Sequence, residues 1–369
     1  MVPTSQTAIV QSQATEAPPS STGFALTVAH DVPVPQLPAD SMHHVLIQVS
    51  AVALNPTDWK MVTHFPMPGH VVGCDFCGVV VKGVPSHPVG TRVCGGMFPY
   101  NLDPVSDPSN GAFSQWVVAD VRLLLKVPEA WTDLQGAALG GVGWGTVGLA
   151  LFQPDALNLH GRPSEPTGKS EPVLVYGGGT ATGTMACQVL KLSGYIPVAV
   201  TSPQSASLAK RYGASNAAYY TSPTCAATAR SLAQAPIRHA LDCITSAESV
   251  ATCFSVIARV GGRYTCLEEF PEVWRTRRAI KTKEVMGYEG LGVRVDFGPD
   301  SPYSRDADYD AFDVCVKWAA DMQVLVDGNL IQAHPIRELE GQWDGILRGL
   351  KMLHKGEVKG QKLVVRIQS

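Results

Sequence analysis

Residues Val173 to Thr184 read VLVYGGGTATGT, and this stretch decides the fold of the chain. Its first four residues form a short, continuously apolar run, as in a strand buried on both faces. Gly177, Gly178 and Gly179 then permit a tight turn, and Met185 to Leu192 continues with a helical pattern. A buried strand, a glycine turn and a helix in direct succession predict the first unit of an open parallel sheet.

Further apolar runs repeat this pattern downstream, at Ile196 to Val200, Ala240 to Cys243 and Gly262 to Thr265. The segments between them have the length and pattern of crossover helices. The sequence therefore predicts an α/β chain with a doubly wound, Rossmann-type parallel-sheet domain.

The glycine turn has the context of a dinucleotide-binding fingerprint, although its spacing matches GxGxxG only in part. Glycines let the backbone approach a pyrophosphate, and unpaired N–H groups at a helix start attract it. We expect the glycine turn to hold the phosphates, with the Thr180 and Thr182 hydroxyls contributing. The alternative is a turn without a ligand.

The end of the second strand indicates which nicotinamide cofactor fits. It reads Thr201-Ser202-Pro203-Gln204-Ser205, and no acid occurs between Glu171 and Asp242, whereas five Lys and Arg residues do. NAD sites place an acid here for the ribose 2′-hydroxyl, and a 2′-phosphate requires neutral donors and positive charge. The segment favours NADPH, although Lys210 and Arg211 taken singly fit a solvated helix face equally well.

The region before this domain is mostly β with irregular loops. Residues 1–22 are polar and predict a loosely held, flexible arm, and Val45 to Leu54 alternates as a half-buried strand does. The polar stretch Gln153 to Pro172 is a candidate domain boundary. A helix over Tyr309 to Val326 and a strand over Lys362 to Ile367 are expected near the end, the strand returning to the early β region.

Composition excludes several classes of protein. The 369 residues are 45% hydrophobic and 17% charged with a net charge of −3, which predicts two globular domains and argues against nucleic-acid or membrane-surface binding. Nine scattered cysteines and the lack of Lys or Arg before Lys60 favour a reduced protein of the cytoplasm without a secretory signal.

Several motifs carry a family resemblance over nearly the whole chain: SAVALNPTDWK (Ser50 to Lys60), VGCDFCGVV (Val72 to Val80), GAFSQWVV, and the late glycine-turn domain. In this pattern the chain resembles the zinc-independent medium-chain dehydrogenases/reductases. Together with LKLSGYIPVAVTSP, RHALDCITSAES and KGEVKGQKLVVRI, it is similar to the trans-acting enoyl reductases of fungal polyketide biosynthesis, such as that of lovastatin synthesis.

The resemblance implies a GroES-like catalytic domain of residues 23–160 and 327–369 around a Rossmann NADPH-binding domain of residues 161–326, with the cofactor in the cleft between them. It also implies that Gly179, Thr180, Ala181 and Thr182 hold the pyrophosphate, and that residues beyond the glycine turn contact the cofactor. These are Asn55, Thr57, Asp58 and Lys60 at the nicotinamide, Ser202, Pro203, Gln204 and Ser205 at the 2′-phosphate, Tyr220 at the adenosine, and Leu267 with Glu268 at the nicotinamide half. Thr57 and Lys60 are the candidate catalytic residues.

The same resemblance places the acyl substrate along two segments, Gly143, Trp144, Gly145 and Thr146, and Gly287, Tyr288, Glu289, Gly290 and Leu291. Within Gly140 to Gly148, the glycines either let an acyl chain pass close to the backbone or allow a buried helix to pack tightly.

No metal is expected. Zinc-dependent relatives would carry a Cys near position 55 and a His-Glu pair near 70, where this chain has Asn55 and His70-Val71. Cys74 and Cys77 form a CxxC pair without a second pair at finger spacing.

Without a Lewis acid the electrophile must accept hydride by itself, as an α,β-unsaturated thioester does. The resemblance implies, as the predicted function, NADPH-dependent reduction of a carrier-bound polyketide thioester, which a polyketide synthase presents on its acyl carrier domain. The alternatives are a zinc-free quinone or enone reductase acting on free small molecules, and an NADPH-binding protein without turnover.

Overall fold

A computed structural model describes residues 2–12, 23–39, 41–100, 108–298 and 301–367. The chain divides into two compact units. The first, here the β-rich unit, comprises Met1–Val142 and Leu291–Ser369, and the second, here the parallel-sheet unit, comprises Gly143–Gly290.

The β-rich unit contains a two-stranded sheet, β1 (Ser5–Gln11) with β2 (Leu26–Pro33), and a larger mixed sheet. The strands of the larger sheet are β3 (His44–Ala53), β4 (Asp75–Lys82), β5 (Arg92–Gly96), β6 (Trp116–Asp120), β7 (Leu125–Lys126), β14 (Ile336–Glu338) and β15 (Lys362–Arg366). Its helices are α1 (Pro56–His64), α2 (Asp133–Leu139), α8 (Tyr309–Asp327) and α9 (Gln342–His354).

The predicted return of the tail strand is confirmed. β15 pairs antiparallel with β3, with Val364 opposite Ala53 and Arg366 opposite Ala51. Its four residues Lys362–Val365 are buried, although the first carries a charge. A strand far along the chain thus completes the sheet that the early strands begin.

The parallel-sheet unit is built from strands that all run parallel, in the order β10-β9-β8-β11-β12-β13. The strands are β8 (Pro172–Tyr176), β9 (Ile196–Thr201), β10 (Asn216–Tyr219), β11 (His239–Asp242), β12 (Gly262–Cys266) and β13 (Ile280–Glu284). The helices are α4 (Ala181–Leu192), α5 (Ala206–Arg211), α6 (Cys225–Ala233) and α7 (Ala247–Val256), while α3 (Val142–Phe152) starts at the unit boundary. The strand order reverses between β8 and β11, which makes this a doubly wound, dinucleotide-type sheet as predicted.

The predicted arm differs from the structure. Residues Ser5–Gln11 form β1, in which Ala8 and Ile9 are fully buried, and the Ile9 N–H donates to the Phe113 carbonyl at 2.9 Å. The alternation of polar and apolar residues in SQTAIVQ was the sequence signal for this strand. Residues 13–22 of the predicted arm lie outside the described residues.

The domain boundaries also differ from the prediction. The loop after α3 packs back on that helix, because the Leu157 and Leu159 N–H groups donate to the Ala150 and Leu151 carbonyls. The boundary lies at the first residue of α3, between Val142 and Gly143, and not after this loop. Helix α8, predicted within the Rossmann domain, lies in the β-rich unit, where the Gln323 amide bonds both the N–H and the carbonyl of Lys126 in β7.

No helix within the described ranges combines the length and the apolar character that crossing a membrane demands.

Candidate functional site

The glycine turn joins β8 to α4 with backbone contacts that leave no room for side chains. Gly177 has a φ of +80°, and the space that a Cβ on Gly183 would fill is taken by the Gly177 carbonyl. A Cβ on Gly179 would overlap the Ser205 side chain after β9. Helix α4 begins at Ala181, four residues before the predicted Met185, so the turn delivers the helix start directly to the sheet edge.

This helix start leaves backbone donors available. The N–H groups of Gly179, Ala181 and Thr182 have no hydrogen-bond partner among the described residues. The Thr180 hydroxyl, by contrast, donates to the Gly177 carbonyl at 2.8 Å and accepts from the Gly183 N–H at 3.0 Å. Thr180 is therefore the N-cap of α4. Its hydroxyl is engaged with the backbone of the turn, which differs from the predicted role as a phosphate ligand.

The arrangement fits a nucleotide phosphate. Unpaired N–H groups at the positive end of a 12-residue helix form an anion site. The turn after β9 lies beside it: Ser202 caps the short 3-10 helix Pro203–Ser205 by accepting from the Ser205 N–H at 3.3 Å, and Ser205 contacts Gly179. Tyr220 is half exposed after β10, at the same carboxyl edge of the sheet.

The loop after β11 also borders the glycine turn, and the sequence analysis did not single it out. A Cβ on Gly177 would lie 3.0 Å from Ile244 and 3.2 Å from Cys243. Asp242, fully buried, accepts from the Ile244 and Thr245 N–H groups at 2.9 and 3.1 Å and from the Tyr264 hydroxyl at 3.0 Å. Burial raises the pKa of Asp242, and these hydrogen bonds oppose the rise. The lone acid that ends the apolar run HALD was the available signal.

Thr245 connects this loop to the next strand. It adopts a φ of +58°, and its hydroxyl accepts from the Leu267 N–H at 3.3 Å. Leu267 and Glu268 follow β12 directly, so two of the predicted cofactor residues lie at the carboxyl edge of the sheet with the glycine turn.

The structure brings the two predicted substrate segments together within the parallel-sheet unit. A Cβ on Gly287 would lie 2.8 Å from the Thr146 hydroxyl, whereas Gly143 and Gly145 have open space beside them. The Trp144, Tyr288 and Glu289 side chains are buried, Glu289 facing Lys283 at 3.9 Å. Gly290 ends this unit, and Leu291 belongs to the β-rich unit.

The glycines of residues 140–148 divide between the two alternatives. Gly140 has a φ of +50°, with the Asp75 carboxylate where its Cβ would be, and Gly141 faces the Gly96 backbone. These two glycines permit tight packing. A Cβ on Gly143 or on Gly145 would meet nothing within 4 Å, so these two glycines have open space beside them.

In the β-rich unit, α1 carries the residues predicted to line the nicotinamide. Asn55 is the N-cap and is 5% exposed, and Asp58 is 2% exposed with its Oδ2 accepting from the Asn55 N–H at 2.6 Å. Both side chains point into the unit and hold the helix start. Thr57 and Lys60 are partly exposed and, three residues apart, lie on the same side of α1.

Behind the start of α1 lies a buried polar network that the sequence analysis missed. The Lys362 ammonium, on β15, donates to Asn55 Oδ1 and to Asp75 Oδ2, the latter at 3.1 Å. The Asn55 amide also donates to Asp75 Oδ2 at 2.9 Å, and Asp75 Oδ1 accepts from the Gly141 and Val142 N–H groups at 2.8 and 2.9 Å. Lys362 is 6% exposed and Asp75 fully buried, so this is a paired charge in the core.

Two titratable groups next to this network have displaced pKa values. Burial raises the pKa of Asp58 to about 7, and the hydrogen bonds from the Asn55 N–H and the Cys74 thiol oppose the rise. The Asp75 carboxylate adds to the rise by a smaller amount, and the Lys362 charge opposes it. Burial, helped by the Lys362 charge, lowers the pKa of His334 to about 4. Asp58 is therefore the acid of this site that titrates near neutral pH.

Among the described residues, no group of three or more His, Cys, Asp and Glu side chains is arranged to hold a metal ion. The nine cysteines are free thiols. Burial raises the pKa values of Cys77 and Cys94, which face each other across β4 and β5, so both remain protonated.

Comparison with known proteins places the chain in a family. Residues 41–129 match the alcohol dehydrogenase GroES-like domain. Trans-enoyl reductase calK of Penicillium decumbens is 52% identical, with 98% of each chain covered, and trans-enoyl reductase sthE of Phaeosphaeria nodorum is 49% identical, with 98% of this chain and 97% of that protein covered. The chain belongs to the trans-enoyl reductases. These are oxidoreductases that act on carbon–carbon double bonds.

Solved structures share the fold of this trans-enoyl reductase. CurK enoyl reductase superposes with a TM-score of 0.71 at 15% identity, covering 98% of this chain and 99% of its own. A mycobacterial protein solved with NADPH gives a TM-score of 0.68 at 18% identity, covering 98% of this chain and all of its own. A GroES-like β-rich unit with a Rossmann unit is thus confirmed as the architecture.

Proposed function

We propose that this protein is a trans-acting enoyl reductase that uses NADPH to reduce the α,β-double bond of a polyketide thioester carried by the acyl carrier domain of a polyketide synthase. The observation that carries the proposal is the full-length similarity to trans-enoyl reductases at 49–52% identity. The unpaired N–H groups at the start of α4 support the proposal, because such a reaction requires a site for the cofactor phosphates.

For the cofactor, the proposal assigns the diphosphate to the N–H groups of Gly179, Ala181 and Thr182. The 2′-phosphate falls to the Ser202–Ser205 turn, within a segment that has no acid between Glu171 and Asp242. When bound, NADPH supplies the hydride that saturates the double bond.

For the substrate, Thr57 and Lys60 offer a hydroxyl and an ammonium on one side of α1. Donors of this kind stabilise the negative charge that develops on a thioester oxygen when the β-carbon is reduced. The acyl chain is assigned to the open backbone at Gly143 and Gly145, near Thr146 and Gly287. The proton that completes the α-carbon is left to solvent.

The proposed chemistry needs no metal. Asn55, at the position where zinc relatives carry a cysteine, has its side chain bonded to Lys362 and Asp75 and is not available as a ligand. Activity is expected to survive chelation. Stoichiometric zinc in the purified protein, with activity lost on its removal, would overturn this part of the proposal.

The deciding experiment follows the loss of NADPH absorbance with enoyl groups on an acyl carrier domain, the same enoyl groups on a short thiol mimic, and quinones. Carrier-bound enoyl groups should be reduced most efficiently. Faster turnover of quinones or free enones would favour a small-molecule reductase, and NADPH binding without turnover on any substrate would favour a binding protein.

Two further measurements test the partner and the cofactor. Omitting the protein from a reconstituted synthase should change the saturation pattern of the product. NADPH should bind about tenfold to a hundredfold more tightly than NADH, the value of one charge-assisted phosphate contact. The free thiols and the cofactor are in keeping with the cytoplasm, which is where we place the reaction.

A further inference from the structure

Among the described residues, the Lys362 ammonium bonds to both Asn55, at the start of α1, and Asp75, whose carboxylate accepts from the N–H groups at the start of α3. These contacts join β15 to a part of the chain that is distant in sequence, since Lys362 is separated from Asn55 by 307 residues and from Asp75 by 287. Each contact involves a buried charge, so each is stronger than a neutral hydrogen bond at the surface.

Asn55 links Lys362 to the start of α1, because it is the N-cap of that helix. Pro56 follows it and donates no N–H, and the Asn55 N–H is bound by Asp58 within the first turn. Because Asn55 is the N-cap of α1, the contacts that hold its side chain also anchor the residue from which the first turn starts. Thr57 lies in that turn and Lys60 one turn later, so a rotation of Asn55 displaces both.

Asp75 links Lys362 to the turn between α2 and α3. Its Oδ1 accepts two adjacent N–H groups, from Gly141 and Val142, and its carboxylate occupies the space beside Gly140. Gly143 follows directly along the helix. One lysine thus reaches, through two partners, the segments assigned to the nicotinamide and to the acyl chain.

We propose that Lys362 is a positioning residue for reduction: it holds the starts of α1 and α3 through Asn55 and Asp75, and so fixes the positions of Thr57 and Lys60. The link to turnover rests on the function proposed above. The link to the positions of the helix starts stands without it.

The test compares Lys362→Met with Lys362→Met/Asp75→Asn, and uses Lys359→Met, at an exposed site shortly before β15, as the control. The single variant leaves a buried carboxylate without its cation and should lower the thermal midpoint by roughly 10 °C. The double variant removes both charges and keeps an oxygen for Gly141 and Val142. It should recover most of the midpoint, and it remains informative if the single variant does not fold.

Hydrogen exchange in the protein without cofactor is the readout of position. In the double variant, amides of residues 54–64 should exchange at least about tenfold faster than in the wild type, because Asn55 Oδ1 has lost a charged donor. Peptides from α4, in the other unit, serve as the internal reference. Unchanged exchange over α1 would overturn the proposal.

Kinetics supply the second readout. The double variant should show kcat reduced about tenfold with the KM for NADPH changed less than threefold, and a larger isotope effect with deuterated NADPH because the chemical step has slowed. A kcat within twofold of the wild type would show that Lys362 only neutralises Asp75. If the wild type reduces no enoyl thioester, the proposed function fails, and the exchange result still decides the positioning role.

Discussion

The helix starts of α3 and α4 differ in whether the chain itself binds their N–H groups. In the β-rich unit, the Gly141 and Val142 N–H groups at the start of α3 are bound by the Asp75 carboxylate of the same chain. In the parallel-sheet unit, the Gly179, Ala181 and Thr182 N–H groups at the start of α4 have no partner among the described residues. A glycine-rich helix start is therefore not in itself a phosphate site. Only a start to which the chain supplies no acid of its own leaves its N–H groups available to an anion.

The largest effect on stability is expected from removing Asp75, which binds the N–H groups at the start of α3. Asp75→Ala leaves the Lys362 ammonium buried without its partner and should lower the free energy of unfolding by about 3–5 kcal/mol. Glu338→Ala is the matched control, because it removes an exposed pair between Glu338 and Arg366 that also joins β14 to β15. The control should cost less than about 1 kcal/mol. Urea unfolding measures both, and equal losses would contradict the role given to the buried pair.

The pH dependence of stability tests Asp58, the acid of the α1 start. Its pKa is raised from 3.8 to about 7 in the folded protein, so between these pH values the folded state binds more protons than the unfolded one. The free energy of unfolding therefore loses this contribution as the pH rises through that range. Asp58→Asn should gain stability relative to the wild type between pH 5 and pH 8, by at most about 4 kcal/mol.

The comparison of variant with wild type isolates Asp58 from its neighbours. Asp75, Lys362 and the Cys74 thiol act on the pKa of Asp58, and the Lys362 charge also acts on the pKa of His334. His334 acts in the opposite sense, because its lowered pKa removes stability as the pH falls below about 6.5. It is present in both proteins and cancels in the difference. A difference that stays constant with pH would show that Asp58 is ionised throughout.

Gly183→Ala is expected to distort the glycine turn at the start of α4. The added Cβ overlaps the Gly177 carbonyl, and backbone cannot move aside as a flexible side chain does. The turn must shift, and NADPH affinity should fall about a hundredfold, or about 2.7 kcal/mol. Gly168→Ala, in the same unit with open space around it, should leave the dissociation constant unchanged. Titration calorimetry distinguishes them, and unaltered binding by Gly183→Ala would remove the phosphates from this turn.

The smallest effects are expected from replacing the two threonine N-caps. Thr180 caps α4, and Thr132 caps α2 in the β-rich unit by accepting from the Gln135 N–H at 3.2 Å. Each alanine substitution should cost about 1 kcal/mol of stability. Only Thr180→Ala should also weaken NADPH binding, by a few fold, because only that cap shapes the open turn. Equal NADPH affinities in the two variants would contradict this assignment.

Local patterns predicted the parallel-sheet unit well because its evidence is contiguous. The run VLVY, the three glycines and the threonines are contiguous in sequence. In the structure they form one strand, the turn after it and the start of the next helix. The return of KLVVRI to the early strands was also predictable, from its apolar character and its lack of a nearby partner.

The buried network was not predictable because its members lie far apart and look ordinary singly. Asp75 is one acid in the apolar stretch VGCDFCGVV, and Lys362 is one charge at the start of a terminal strand. Only the pairing of β15 with β3 brings them together. The placement of α8 failed for a similar reason, since its contact with Lys126 through Gln323 spans 197 residues.

The pairing of β15 with β3 also bears on the order in which a new chain folds during synthesis. All strands of the parallel-sheet unit, β8 to β13, leave the ribosome before β15 does, so that unit can complete its sheet first. Until β15 emerges, residues Ala51 to Ala53 of β3 have an unpaired edge on the side where β15 will bind, and Asp75 has no counter-charge. A nascent chain therefore carries an exposed edge strand beside an unneutralised acid for as long as the middle of the protein takes to be made, and that acid disfavours pairing of the edge with another chain.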